Sequence, residues 1–122
     1  MPRPILDEAH IHPAIRDTVA GHEQDIVREV QAVIAAHPVV VVGMKMNPFP
    51  KMACKLLAAE GIAYQYLEYG SYFGEWRRRN ALKLWSGWPT MPMVFVKGVL
   101  IGGANDLKAL LKNGELKKML AG

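Results

Sequence analysis

The sequence offers little sulfur chemistry, since one cysteine, Cys54, occurs among its 122 residues. A single cysteine excludes an internal disulfide and is the usage expected in a reducing compartment. No run approaches the roughly 18 to 20 consecutive apolar residues of a membrane span, and the first residues lack the apolar stretch of a signal peptide. We therefore expect a cytoplasmic protein with no membrane partner.

An excess of charge of one sign is also missing. Lys and Arg number 15 against 11 Asp and Glu, which leaves a formal net charge of +4. This mild excess suits a small acidic ligand, but it is too small to indicate a nucleic-acid partner. The length and the 51% of hydrophobic residues predict one globular domain with its own core.

The first 24 residues differ from the rest. We expect them to form an N-terminal arm and a short helix in front of the main domain, residues 25–122. His10 and His12 lie close to Asp7 and Glu8 in the sequence, but their spacing implies no tetrahedral or octahedral ligand set. We therefore predict no metal site.

Helical and strand patterns alternate along the main domain. Val39–Val42 is an unbroken β-branched run, which is typical of a strand buried on both faces. Helical spacing of apolar residues precedes this run and returns after it. Further strands are expected over 63–68, 93–96 and 99–101, and further helices over 52–60, 74–86, 107–112 and 115–120. The order α-β-α-β-α-β-β-α predicts an α/β domain.

The stretch from 90 to 107 has the most specific local chemistry. Lys97-Gly98 separates two short apolar runs and predicts a hairpin turn. Met91-Pro92 directly precedes the first of these runs and is a candidate cis peptide. Asn105 and Asp106 offer cap chemistry for a helix beginning near Leu107, whose amide dipoles can face an anion.

Three motifs here resemble those of glutaredoxins, most closely the bacterial monothiol members. They are Trp88-Pro89-Thr90 followed by Pro92, the Gly102-Gly103 pair with a polar pair behind it, and Gly114-Glu115-Leu116. The resemblance extends over about residues 25–121. It implies a thioredoxin-like (glutaredoxin) fold, with a four-stranded mixed sheet flanked by helices and, here, an extra N-terminal helix.

Glutaredoxins place a nucleophilic cysteine where the first strand meets the next helix, because a helix N-terminus stabilises a thiolate. Alignment on Leu56-Leu57 and Gly61 puts Asn47 at that position, so that the family's four-residue motif becomes Asn47–Pro50. Asparagine is a good N-cap, and proline is favoured in the first helical turn. The prolines also remove amides that an anion would use.

Cys54 lies about 10 Å further along this helix, among apolar neighbours, where a free cysteine is commonly a small buried hydrophobe. We therefore predict no catalytic residue. The same loss argues against the iron–sulfur cluster that monothiol glutaredoxins share between subunits, because its protein ligand would be the missing cysteine.

The resemblance carries the family's glutathione-binding positions onto this chain. Met91, before the candidate cis-proline, would pair its backbone with the cysteinyl part of glutathione. Arg79 and Lys83 would meet a carboxylate, and Asn105 with Asp106 would hold the γ-glutamyl end. The full set of glutathione-binding predictions is Lys45, Phe49, Arg79, Lys83, Met91, Pro92, Gly103, Asn105 and Asp106. The alternative for the charged pair is an ordinary solvated helix face.

The resulting hypothesis is a non-catalytic module that binds glutathione, or a glutathionylated or thiol-bearing protein. Two alternatives stay open: a glutathione-dependent disulfide oxidoreductase that uses Cys54 or bound glutathione, and a purely protein-interaction scaffold. Tyr72-Phe73 follows no core periodicity within the loop from Gly70 to Gly74. We predict a small hydrophobic contact for a protein partner there.

Overall fold

The structure is a computed structural model that describes residues 3–71 and 74–122. A short 3-10 helix, Glu8–His10, precedes the regular elements. These elements are α1 (Pro13–Gly21), α2 (Gln24–Ala36), β1 (Val39–Gly43), α3 (Pro48–Ala59), β2 (Gln65–Glu68), α4 (Trp76–Ser86), β3 (Met93–Val96), β4 (Val99–Gly102), α5 (Ala104–Lys112) and α6 (Glu115–Ala121). Helices and strands follow in the predicted order.

The four strands form one mixed sheet in the order β2-β1-β3-β4. Strand β1 pairs parallel with β2 and antiparallel with β3, and β3 pairs antiparallel with β4. The residues Val39–Val42 are at most 1% exposed. The prediction of a strand buried on both faces is therefore confirmed.

Two apolar clusters cover the two faces of the sheet. Successive side chains of a strand point to opposite faces, so Val40 and Val42 join one cluster and Val39 and Val41 the other. The first cluster is closed by α2 and α4, and the second by α3, α5 and α6. Burial of these apolar side chains is the main force that holds the layers together.

The segment before α2 lies outside this core. None of residues 3–22 is buried. Local caps order it: Asp7 accepts a hydrogen bond from the N–H of Ala9, and His12 Nδ1 accepts one from the N–H of Ala14. In residues 3–71 and 74–122, no group of three or more His, Cys, Asp or Glu side chains is arranged to hold a metal ion.

The start of α5 corrects a sequence-based expectation. The helix begins at Ala104, not near Leu107, with Gly103 as its N-cap. Asp106 therefore lies within the first turn, and its carboxylate reaches back to accept a hydrogen bond from the Gly103 N–H at 2.9 Å. Among the described residues, no helix is long and apolar enough to cross a membrane.

Candidate functional site

A groove of about 470 Å³ opens where β1 leads into α3. Its walls come from the first turns of α3 and α5, from α4, and from the loop that carries the cis peptide Met91–Pro92. The groove is lined by all but two of the predicted glutathione-binding residues. The lining ones are Phe49, Lys83, Met91, Pro92, Gly103, Asn105 and Asp106. Folding thus brings together side chains from four separate stretches of the chain.

Asn47 ties one wall of the groove to another. It is the N-cap of α3, and its Oδ1 accepts a hydrogen bond from the Phe49 N–H at 3.0 Å. Its Nδ2 donates to the backbone carbonyl of Met91 at 3.4 Å. Both polar ends of the amide are in use, so Asn47 links the start of α3 to the cis-proline loop.

The first turn of α3 offers a ligand few donors. Pro48 and Pro50 have no N–H, and the Phe49 N–H is occupied by Asn47. Pro50 is buried against Gly43, where an added Cβ would lie 2.6 Å from the proline Cβ. This helix end is therefore built for packing rather than for binding an anion.

The first turn of α5 is different. Its first residues, Ala104 and Asn105, carry amides for which the helix itself supplies no acceptor. Gly102, just before it, has φ +113, and an added Cβ there would lie 2.5 Å from Oδ2 of Asp106. The glycine lets Asp106 fold back while the remaining amides point along the helix axis, the arrangement in which a helix N-terminus attracts an anion.

Arg79 is not where the sequence suggested. Its side chain is only 5% exposed and is absent from the groove lining. Its Nη1 donates to the backbone carbonyls of Tyr69 at 2.9 Å and Gly74 at 2.5 Å. The expectation that Arg79 meets a ligand carboxylate is corrected, because the guanidinium instead holds the chain that leads into α4.

Lys45 also lies outside the groove lining. It is exposed, and its backbone N–H donates to the carbonyl of Gly70 at 2.6 Å. The next residue, Met46, has φ +64 and turns the chain before α3. Lys45 therefore belongs to an exposed surface turn near the groove, and its predicted ligand contact stays a prediction.

Some lining residues were not predicted as site residues, among them Met44 and Trp88. Met44 is buried and continues the face of β1 that holds Val40 and Val42, so strand alternation could have indicated it. Trp88 forms part of the wall, and its buried Nε1 has no hydrogen-bond partner among the described residues. The sequence analysis names Trp88 only as part of a motif and assigns its side chain no role at the site.

Cys54 is half-buried on α3 and takes no part in lining the groove. Burial raises the pKa of its thiol above the ordinary value, and a hydrogen bond with Tyr64 offsets part of that rise. A raised pKa lowers the thiolate fraction at neutral pH. The predicted partner contact at Tyr72-Phe73 lies outside the described residues.

The sequence of this chain is similar to those of known proteins. The glutaredoxin family model matches residues 39–101. A glutaredoxin-like protein of Dictyostelium discoideum is 42% identical over 102 residues, which are 84% of this chain and 83% of that protein. A probable monothiol glutaredoxin 2 of Rickettsia prowazekii is 52% identical over 42 residues, 34% of this chain and 39% of that one.

Solved structures agree with these relatives. The buckwheat glutaredoxin–glutathione complex is 25% identical, with a TM-score of 0.71 over 83% of this chain and 92% of that one. The expected thioredoxin-like glutaredoxin fold, with its four-stranded mixed sheet flanked by helices, is thus confirmed. The chain belongs to the glutaredoxin family.

Proposed function

We propose that this glutaredoxin family member is a non-catalytic module that binds glutathione, or a glutathionylated or thiol-bearing protein. One observation carries the proposal. The groove is assembled from the residues expected to hold the tripeptide, whereas Asn47 stands at its α3 end, where a glutaredoxin would need a thiol.

The groove supplies complementary chemistry for a short anionic peptide. The cis-proline loop presents the backbone of Met91 for strand addition. The Met91 carbonyl accepts a long hydrogen bond from Asn47, and its second lone pair can accept another from a ligand. At one end, the amides of the first turn of α5 favour the α-carboxylate of a γ-glutamyl group. Lys83 offers an ammonium to a carboxylate elsewhere in the groove. The buckwheat relative in complex with glutathione supports this assignment.

The proposal excludes turnover by the usual thiol route. Exchange requires a thiolate that attacks a disulfide sulfur and forms a mixed disulfide. An asparagine amide cannot do so, and Cys54 is outside the groove lining with a raised pKa. No contact in the described residues favours the alternative in which Cys54 acts as the nucleophile.

A cluster held by thiolates does not fit this groove either. Iron–sulfur clusters are held by cysteine thiolates, and the residue at the start of α3 is Asn47. We therefore expect reconstitution with iron and sulfide to give no visible absorption band. A stable band that survives gel filtration would contradict this part of the proposal.

Glutathione titration tests the binding proposal. We expect saturable heat in calorimetry and amide NMR shifts at Met91, Gly103 and Asn105. Lys83→Ala should weaken binding by about fivefold, the upper range for a partly exposed ion pair. Lys112→Ala removes the same charge from the last turn of α5, outside the groove lining, and should leave the affinity unchanged. Absence of saturable shifts at millimolar glutathione would overturn the proposal in favour of a protein-interaction scaffold.

Turnover of a small glutathione mixed disulfide tests the absence of catalysis. We expect the parent chain and Cys54→Ala to be equally inactive. Turnover by the parent that disappears in Cys54→Ala would restore the oxidoreductase alternative.

A further inference from the structure

A second groove, larger than the first, opens at the other end of the sheet. Its volume is about 750 Å³, and its lining shares no residue with the groove described above. The floor is apolar and comes from Ile34 of α2, Trp85 of α4, and Phe95 and Leu100 of the hairpin. Open apolar surface of this kind favours contact with an apolar partner.

The rim of this groove includes Lys97, whose backbone has a positive φ that is unusual for lysine. Lys97 lines the groove and has φ +48, and the next residue, Gly98, has φ +80. A two-residue hairpin turn with both φ values positive strongly prefers Asn, Asp or Gly at its first position. The chain instead has a lysine there, which sets an ammonium group beside the apolar floor.

The N-terminal arm has the complementary sequence. Ile5 and Leu6 are 72% and 66% exposed. Asp7 and Glu8 follow directly, so an apolar pair precedes an acidic pair. The arm therefore matches the groove in both respects, apolar side chains for the floor and carboxylates for Lys97.

The arm passes close to the Ser86 edge of the groove. Arg3 lies so close to Gly87 that an added Cβ there would meet its Nη1 at 2.7 Å. Gly87 follows Ser86, which lines the groove. Beyond Leu6 the chain is fixed by the Asp7 cap and by a hydrogen bond from Arg16 Nε to the Ile11 carbonyl at 2.9 Å. Ile5 and Leu6 are exposed to solvent and are absent from the lining of their own groove.

We propose that this surface is a homodimer interface in which each copy places Ile5 and Leu6 in the groove of the other. A twofold axis pairs a surface with itself, so each contact between arm and groove occurs twice. Glu8 of one copy then meets Lys97 of its partner. The glutathione groove lies at the opposite end of the sheet and stays open in the dimer.

Sedimentation equilibrium of the full chain tests the proposal. We expect the parent to dimerise reversibly and Leu6→Asp to weaken the dimer at least about tenfold, because the variant places a charge against an apolar floor. Leu84→Asp is the matched control. Leu84 is 73% exposed but does not line the groove, so this variant should dimerise like the parent.

Substitutions of Lys97 distinguish a weakened dimer from a folding defect. Lys97→Asn relieves the unfavourable φ and should not lower the melting temperature, yet it should weaken the dimer. Lys97→Glu should weaken it further, and Glu8→Lys combined with Lys97→Glu should restore part of the affinity.

Two results would overturn the proposal. One is a parent chain that stays monomeric up to its solubility limit, including the case in which each arm closes on its own groove. The other is a dimer that Leu6→Asp and Lys97→Glu leave unchanged. Neither result bears on glutathione binding, which is measured separately at the other end of the sheet.

Discussion

Two helix N-termini face the groove beside the cis-proline loop, and they offer a ligand different chemistry. The first turn of α3 has prolines at 48 and 50, and its remaining amide is used by Asn47. The first turn of α5 keeps the amides of Ala104 and Asn105. A glutaredoxin needs the first terminus to stabilise a thiolate and the second to hold a carboxylate. Under the proposed function, the α3 terminus would have lost its thiolate-stabilising role, and the α5 terminus would keep its carboxylate-binding role.

The two termini share one packing device. A glycine at the end of the preceding strand makes room for a side chain of the helix. Gly43 accommodates Pro50, and Gly102 accommodates Asp106. The difference is that Pro50 is a rigid, buried ring, whereas Asp106 is an exposed carboxylate hydrogen-bonded to Gly103. Substitutions at these four residues can therefore separate packing from ligand chemistry.

Gly43→Ala should have the largest effect on stability. The added Cβ would lie 2.6 Å and 2.9 Å from two ring carbons of Pro50 and 3.0 Å from Tyr66, so α3 must shift away from the sheet. We expect a loss of about 3 kcal/mol in the free energy of unfolding, the upper range for overpacking. Urea denaturation measures it. Gly21→Ala is the control, because nothing lies within 4 Å of its added Cβ. A loss no larger than that of the control would show that α3 does not depend on this contact.

Gly102→Ala should destabilise by about 2 kcal/mol, because alanine is strained at a positive φ and its Cβ meets the Asp106 carboxylate. The carboxylate can swing away, so the effect should be smaller than at Gly43. Gly103→Ala is the neighbouring control, since its added Cβ meets its nearest atom at 3.6 Å, an ordinary contact. Equal losses from the two variants in urea denaturation would contradict the role assigned to Gly102.

The sequence predicted the fold well, because the evidence for it is local. The valine run, the hairpin turn and the motifs around Pro92 each indicate their own element. The residues predicted on α5 and on the cis-proline loop line the groove, and their contact with a ligand stays a prediction. Arg79 was misplaced because counting along a helix gives its position but not the carbonyls that its guanidinium meets. The second groove could not be predicted, because its walls come from three separate parts of the chain.

Removing either side-chain cap should have a smaller effect than the glycine substitutions. Asn47→Ala loses the acceptor for Phe49 and the link to Met91, and we expect a loss of about 1 kcal/mol in urea denaturation. Asn47→Ser keeps an uncharged N-cap acceptor and removes the amide that donates to Met91, so it isolates the link to the cis-proline loop. Asp106→Ala should cost a similar amount, because it removes the acceptor for the Gly103 N–H. If Asn47→Ala proves neutral while Asp106→Ala does not, the α3 cap is not a stabilising contact.

The reactivity of a thiol at position 47 can be compared directly with that of Cys54 on the same helix, α3. Asn47→Cys in a Cys54→Ala background places a thiol at the helix N-terminus, where the dipole and the Phe49 N–H favour the thiolate. Cys54 in the parent lies further along the helix, and burial raises its thiol pKa. We therefore expect iodoacetamide to alkylate the introduced thiol several times faster than Cys54 at pH 7.5, because a larger fraction of it is thiolate.

The raised pKa of the Cys54 thiol should also make the stability of the parent chain depend on pH. A thiol whose pKa is raised by folding stays protonated while the unfolded chain ionises. Its contribution to stability is complete below the unfolded pKa, about 8.5, and falls as the pH rises above it. The parent should therefore lose more stability than Cys54→Ala between pH 8 and pH 10, as measured by urea midpoints. Because its thiol pKa is raised, the alkylation rate of Cys54 should keep increasing with pH beyond about 8.5, where that of an ordinary thiol levels off. Equal alkylation rates for the two thiols at pH 7.5 would show that the prolines of α3 have removed the electrostatic advantage of its N-terminus, so that restoring the cysteine alone would not restore a glutaredoxin nucleophile.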